Sequence, residues 1–161
     1  SPGTMYNPLF LYGVPGTGKS HMLHAIGGGL SKGLGDAVLL STSGPRLSRG
    51  VNAALARQHM ADIEKKAAES KALLVDDIHL LAVDELNKEF LGKLFKTFFD
   101  RGQQVVITSL YPPRALGARQ PRRLSGIPPM AVFPCAPYSR APQLPLVPRF
   151  FNPQFLNKRS S

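Results

Sequence analysis

Residues 13–20 read Gly-Val-Pro-Gly-Thr-Gly-Lys-Ser, an instance of G-x-x-x-x-G-K-[ST], set between an apolar run, Pro8 to Tyr12, and a helical stretch from about Lys19 to Leu30. Few patterns constrain a chain more. Glycines let successive backbone N–H groups turn inward, a lysine reaches a multiply charged anion, a hydroxyl can ligate Mg2+, and the helix adds the positive end of its dipole. Together these devices favour a nucleotide polyphosphate. Gly13, Pro15, Gly16, Thr17, Gly18, Lys19 and Ser20 are the expected nucleotide contacts, with Lys19 at the β and γ oxygens and Ser20 on the metal.

Up to Ala118 short apolar runs alternate with helical periodicity, which predicts an α/β domain with a mainly parallel, doubly wound sheet and ligands at the strand C-termini. Pro8–Tyr12, Ala37–Thr42, Ala72–Asp77 and Gln103–Ser109 read as strands. Helices are expected around Arg46–His59, Met60–Ser70 and Glu85–Arg101. In the last of these Leu86, Phe90, Leu91, Leu94, Phe95, Phe98 and Phe99 share one face, with Asp84 as N-cap and Gly102 as the stop.

The strand "ALLVDD" supplies a companion to the glycine loop. Asp76 can hold Mg2+, and Asp77 can orient a water for attack on the γ-phosphorus. Loop and double aspartate together indicate ATP binding with hydrolysis, Lys19 and Asp77 carrying the chemistry. Thr108 and Ser109 at the end of the fourth strand are candidate γ-phosphate sensors, although turns favour hydroxyl residues for their own reasons. His24 and His79 read as helix-packing or strand-capping residues. So does His21, which as the residue after the loop is also kept among the nucleotide contacts.

The net charge of +10 suggests a nucleic-acid partner until it is divided along the chain. Residues 1–118 carry 13 Lys and Arg against 10 Asp and Glu, whereas 119–161 carry 7 against none. The same tail holds 9 of the 15 prolines and no sustained periodicity, so 1–118 reads as the folded domain and 119–161 as a disordered or irregular tail with no way to extend the sheet. No run is long and apolar enough for a membrane span, the N-terminus lacks a signal-peptide layout, and Cys135 is alone; a cytoplasmic protein without membrane contact is the expectation.

The stretches "YNPLFLYGVPGTGKSHMLHAIG", "ALLVDDIHLLA" and "QQVVITSLYPPRAL" together resemble the AAA+ domain of the bacterial replication initiator DnaA family over about residues 5–118. The resemblance rests on Asn7-Pro8-Leu9, His21 and His24 after the loop, the double aspartate and the Pro-Pro after the fourth strand. It implies an ATP-dependent switch that assembles with copies of itself on DNA in replication initiation and is reset by hydrolysis. It also implies that two helices between the second strand and Asp76 face single-stranded DNA, making Arg46, Arg49, Arg57, Lys65 and Lys66 candidate phosphate contacts. A solvated amphipathic helix pair would show the same residues.

The family continues into an arginine-finger helix, a fifth strand, a helical lid and a helix-turn-helix, none of which is recognisable after Ala118. Leu110 stands where the family usually has an acidic residue, and only 12 residues precede Gly13. A reading frame shifted near Ala118 accounts for the simultaneous loss of family pattern, acidic residues and periodicity; an intact continuation in another frame of the parent locus is the test. With no fifth strand, Leu9–Tyr12 is expected to be an unprotected sheet edge that promotes self-association. A non-hydrolysing adaptor acting through protein contacts is the alternative reading. A small P-loop kinase is disfavoured by the paired aspartates and by the lack of lid arginines.

Overall fold

The computed structural model describes residues 7–34, 38–115, 131–135 and 149–150. Their order is β1 (Leu9–Tyr12), α1 (Lys19–Leu34), β2 (Val38–Ser43), α2 (Gly44–Arg57), α3 (Met60–Glu69), β3 (Ser70–Asp76), a single 3-10 turn (Ile78–Leu80), α4 (Lys88–Asp100), β4 (Gln104–Ser109), β5 (Ala131–Pro134) and β6 (Arg149–Phe150). The six strands form one sheet in the order β2-β3-β4-β1-β5-β6. Every pairing is parallel except the last.

Strand side chains alternate between two faces, and the core divides accordingly. Phe10, Leu73, Val75, Val105 and Ile107 point toward α2, α3 and α4, where they meet Leu47, Val51, Ala67, Phe90, Leu91, Leu94, Phe95 and Phe98. Leu11, Leu74 and Val106 point the other way, onto Leu23 with Ile26 and Leu30 of α1. Gly27 sets the close approach of α1 on that thinner side, since a Cβ there would lie 2.7 Å from Leu74 Cδ1.

Two expectations are corrected. Helix α4 starts at Lys88 rather than Glu85, with residues 85–87 in a turn; the Asp84 carboxylate nevertheless accepts from the N–H groups of Leu86 (3.0 Å) and Asn87 (2.9 Å), the capping bonds its position predicts. Leu86 is left 80% exposed, off the apolar face to which its spacing assigned it. Asn87, wholly buried, takes the N-cap position and donates to Asn52 Oδ1 of α2 (2.7 Å) and to the carbonyl of Ala82 (3.2 Å), while its Oδ1 accepts from the Asp84 N–H (3.0 Å).

The second concerns the sheet edge. Residues 131–134, inside the segment read as unable to extend the sheet, pair in parallel with Leu9–Tyr12, so β1 has neighbours on both sides. Parallel pairing needs only backbone groups in register, which the local pattern "AVFP" does not advertise. The rest of the 119–161 tail, apart from Cys135 and Arg149–Phe150, lies outside the described residues.

Candidate nucleotide site

Strand order brings the ends of β1, β3 and β4 to one edge of the sheet, with β4 between the other two. Beyond β1 the chain turns under tight constraint. The Gly13 N–H donates to the Ser109 carbonyl (3.2 Å), the Cys135 N–H donates to the Tyr12 carbonyl (2.6 Å), and a Cβ on Gly13 would collide with the carbonyl oxygen of Cys135. Gly16 and Gly18 have φ of 81° and 80°, with nothing within 4 Å of the missing Cβ; glycine is needed there for backbone conformation, not for space.

Lys19 opens α1 and is only 7% exposed, although Val14–Gly16 and Ser20 around it are open to solvent. Its Nζ donates to the carbonyls of Gly13 (2.8 Å) and Val14 (2.9 Å) and reaches Thr17 Oγ1 at 3.5 Å, while Thr17 Oγ1 donates to Val14 (2.9 Å). The ammonium is thus folded back beneath its own loop. The first-turn N–H groups of α1, which a helix cannot pair internally, belong to Lys19, Ser20 and His21. A buried cation below a solvent-open ring of left-handed glycines fits a polyphosphate.

The aspartates are braced from β4. Thr108, wholly buried, donates a short hydrogen bond to Asp76 Oδ1 and accepts from the Asp77 N–H (2.9 Å). Both capacities of the hydroxyl expected to sense phosphate are therefore engaged with Asp76 and Asp77. Ser109 Oγ accepts from the Tyr111 N–H (3.0 Å). Asp77 is a non-glycine residue in left-handed conformation, φ 49° and ψ 51°, with a side chain 43% exposed. Asp76 stands two strand spacings from β1, on the order of 10 Å.

His79 follows in the 3-10 turn with its side chain 7% exposed. Its Nδ1 accepts from the Leu110 N–H (3.3 Å) and lies 4.0 Å from Asp77 Oδ1, and its ring meets Tyr111 edge-on with centroids 5.8 Å apart. Burial lowers its pKa and the Lys19 charge lowers it further, outweighing the opposite pull of Asp77 and Asp76. The strand-capping role expected of His79 matches this geometry. His21 and His24 are exposed on α1.

Cys135, noted in the sequence only as a lone cysteine, stands beside the glycine loop, where burial raises its pKa and the Lys19 charge opposes the rise. No local signal links it to residue 13.

The five basic candidates are all exposed. Arg46, Arg49 and Arg57 form an exposed stripe on α2, off the face that buries Leu47 and Val51, while Lys65 and Lys66 lie on α3. None of the five joins an ion pair among the described residues. The stripe connects to the aspartates through the backbone, because α2 begins at Gly44, where a Cβ would lie 2.5 Å from the Asp77 carbonyl oxygen and 2.8 Å from the Leu81 nitrogen.

Comparison with known proteins gives this geometry a context. Residues 1–126 match the family described as bacterial DnaA ATPase domain. The chain is 32% identical over 127 residues to the chromosomal replication initiator protein DnaA of Psychromonas ingrahamii, an alignment covering 79% of this chain and 26% of that protein. It thus spans about a quarter of the curated relative's length. Domain III of the Thermotoga maritima replication initiation protein DnaA superposes with a TM-score of 0.76 at 27% identity, covering 86% of this chain and 57% of the other. A replication initiator DnaA bound to AMPPCP and single-stranded DNA superposes at 0.74 with 24% identity, covering 84% and 42%.

Proposed function

Because the chain belongs to the bacterial DnaA ATPase domain family, we propose that it binds ATP with Mg2+ at the Gly13–Ser20 loop and acts as the nucleotide-responsive part of a replication initiator. The observation that carries this reading is Lys19: a buried ammonium held by its own loop carbonyls, ready to exchange them for phosphate oxygens. Gly13, Pro15, Gly16, Thr17, Gly18 and His21 complete the phosphate-facing set. Ser20 and Asp76 are the residues that would hold Mg2+, which when bound supplies charge neutralisation across the phosphates.

Asp77 takes the proton of a water that attacks the γ-phosphorus, the bond from that phosphorus to the β–γ bridging oxygen breaks, and ADP and phosphate result. Thr108 serves this step by fixing Asp76 and Asp77 relative to β4. Ser109 contributes its carbonyl to the root of the glycine loop. Arg46, Arg49 and Arg57, with Lys65 and Lys66, contact the phosphates of single-stranded DNA, and subunits assemble along that strand in the cytoplasm. Support comes from the exposed stripe, which joins no ion pair among the described residues, and from the related initiator bound to AMPPCP and single-stranded DNA.

The test is equilibrium binding of a fluorescent ATP analogue with Mg2+. Lys19→Ala should weaken it about tenfold to a hundredfold, as expected for loss of charge-assisted contacts, with little change in melting temperature. Undiminished affinity in Lys19→Ala would remove the nucleotide assignment. If ATP binds without turnover under any condition, with or without single-stranded DNA, the non-hydrolysing adaptor reading replaces the ATPase.

A further inference from the structure

The register between β3 and β4 ends at Val75 and Ile107, yet the segments that follow the two strands stay joined through Leu110 by side chains. Thr108 holds Asp76 and the Asp77 N–H. Farther out, the Leu110 N–H is caught by His79 Nδ1. Among these bonds the histidine's is the outermost, and its ring also meets Tyr111, the next residue of the loop after β4.

We propose that His79 is a positioning residue for ATP hydrolysis, locking the turn that carries Asp77 to the loop beyond β4 so that the Asp77 carboxylate is held in one place. The inference rests on the nucleotide reading above and adds a residue to it. Three features support it. The imidazole is nearly buried, so its orientation is fixed by packing. A Nδ1 that accepts the Leu110 N–H carries no proton, so at 4.0 Å it donates nothing to Asp77, and that carboxylate keeps its full capacity to accept a proton from water. The left-handed backbone of Asp77 persists only because its surroundings pin it, on one side through Thr108 and on the other through the turn whose Leu80 N–H bonds the Asp77 carbonyl (3.0 Å).

The experiment compares the full chain with His79→Phe, which keeps the ring volume without an acceptor, and His79→Asn, whose Oδ1 can replace Nδ1. ATP affinity, melting temperature and single-turnover cleavage with protein in excess over ATP·Mg2+ are measured for each. His79→Phe should slow cleavage about tenfold to a hundredfold while ATP affinity stays within about twofold, and His79→Asn should recover most of the rate. Equal cleavage in His79→Phe and the parent chain overturns the positioning role alone. So does a His79→Asn variant as slow as His79→Phe, or a loss of affinity as large as the loss of rate, since the ring would then act only by packing. A parent chain that binds ATP and never cleaves it overturns both hydrolysis and this inference, and one that binds no ATP overturns the nucleotide reading itself.

Discussion

Gly44 and Asp77 are in backbone contact: the first residue of α2 lies so close to the Asp77 carbonyl that a Cβ would come within 2.5 Å of it. The helix bearing the arginine stripe is therefore seated on the turn bearing the proposed catalytic aspartate, and displacing either moves the other.

Gly44→Ala tests that seat. The added methyl meets backbone atoms on Asp77, Leu80 and Leu81, which cannot rotate away, so the cost should be about 1–3 kcal/mol. Chemical denaturation measures it. If stability is unchanged, the contact is looser than described.

Asn87→Ala removes a wholly buried amide that bonds Asn52, Ala82 and Asp84. Unsatisfied partners should cost about 1–3 kcal/mol, with α2 amides near Asn52 exchanging hydrogen faster. Exchange confined to α4 would contradict the tie between the two elements.

Gly28 and Gly29 lie inside α1 with open space where a Cβ would go. Alanine at each should stabilise the fold by about 0.5–1 kcal/mol, because glycine loses more backbone freedom in a helix. Gly27→Ala should do the reverse, since its methyl meets Leu74. A thermal melt of the three variants decides whether α1 is the continuous helix described.

His79 has a folded-state pKa lowered from its ordinary 6.5, chiefly by burial, so the unfolded chain binds the proton more readily. Its contribution to stability is complete above about pH 6.5 and is lost as pH falls below that value toward the lowered one. Asp77 and Asp76 oppose the shift and Lys19 reinforces it. Melting temperatures from pH 7.5 to 5 should fall more steeply for the parent chain than for His79→Asn.

How far the sequence reveals this molecule depends on the range of the interactions. Four strands, four helices and the glycine loop were legible because apolar periodicity and turn chemistry are local. The start of α4 was legible only in part: Asp84 accepts from the amides of Leu86 and Asn87 as a cap would, but the helix begins at Lys88, and Asn87 before it is tied to Asn52, 35 positions away. Thr108 could be flagged only as a hydroxyl at a strand end; its partners come from residues 31 and 32 positions away, brought alongside by the β3–β4 pairing. Cys135 and β5 were illegible for the same reason at greater separation, since nothing local to residues 131–135 announces that they lie against residues 9–13.

Coverage of β1 by residues 131–134 also bears on where this domain can be cut. A fragment ending at residue 126, where the family match stops, would retain every motif residue and yet bare a row of backbone donors and acceptors along the strand that leads into the glycine loop. Soluble boundaries here follow the closure of the sheet and not the inventory of motifs.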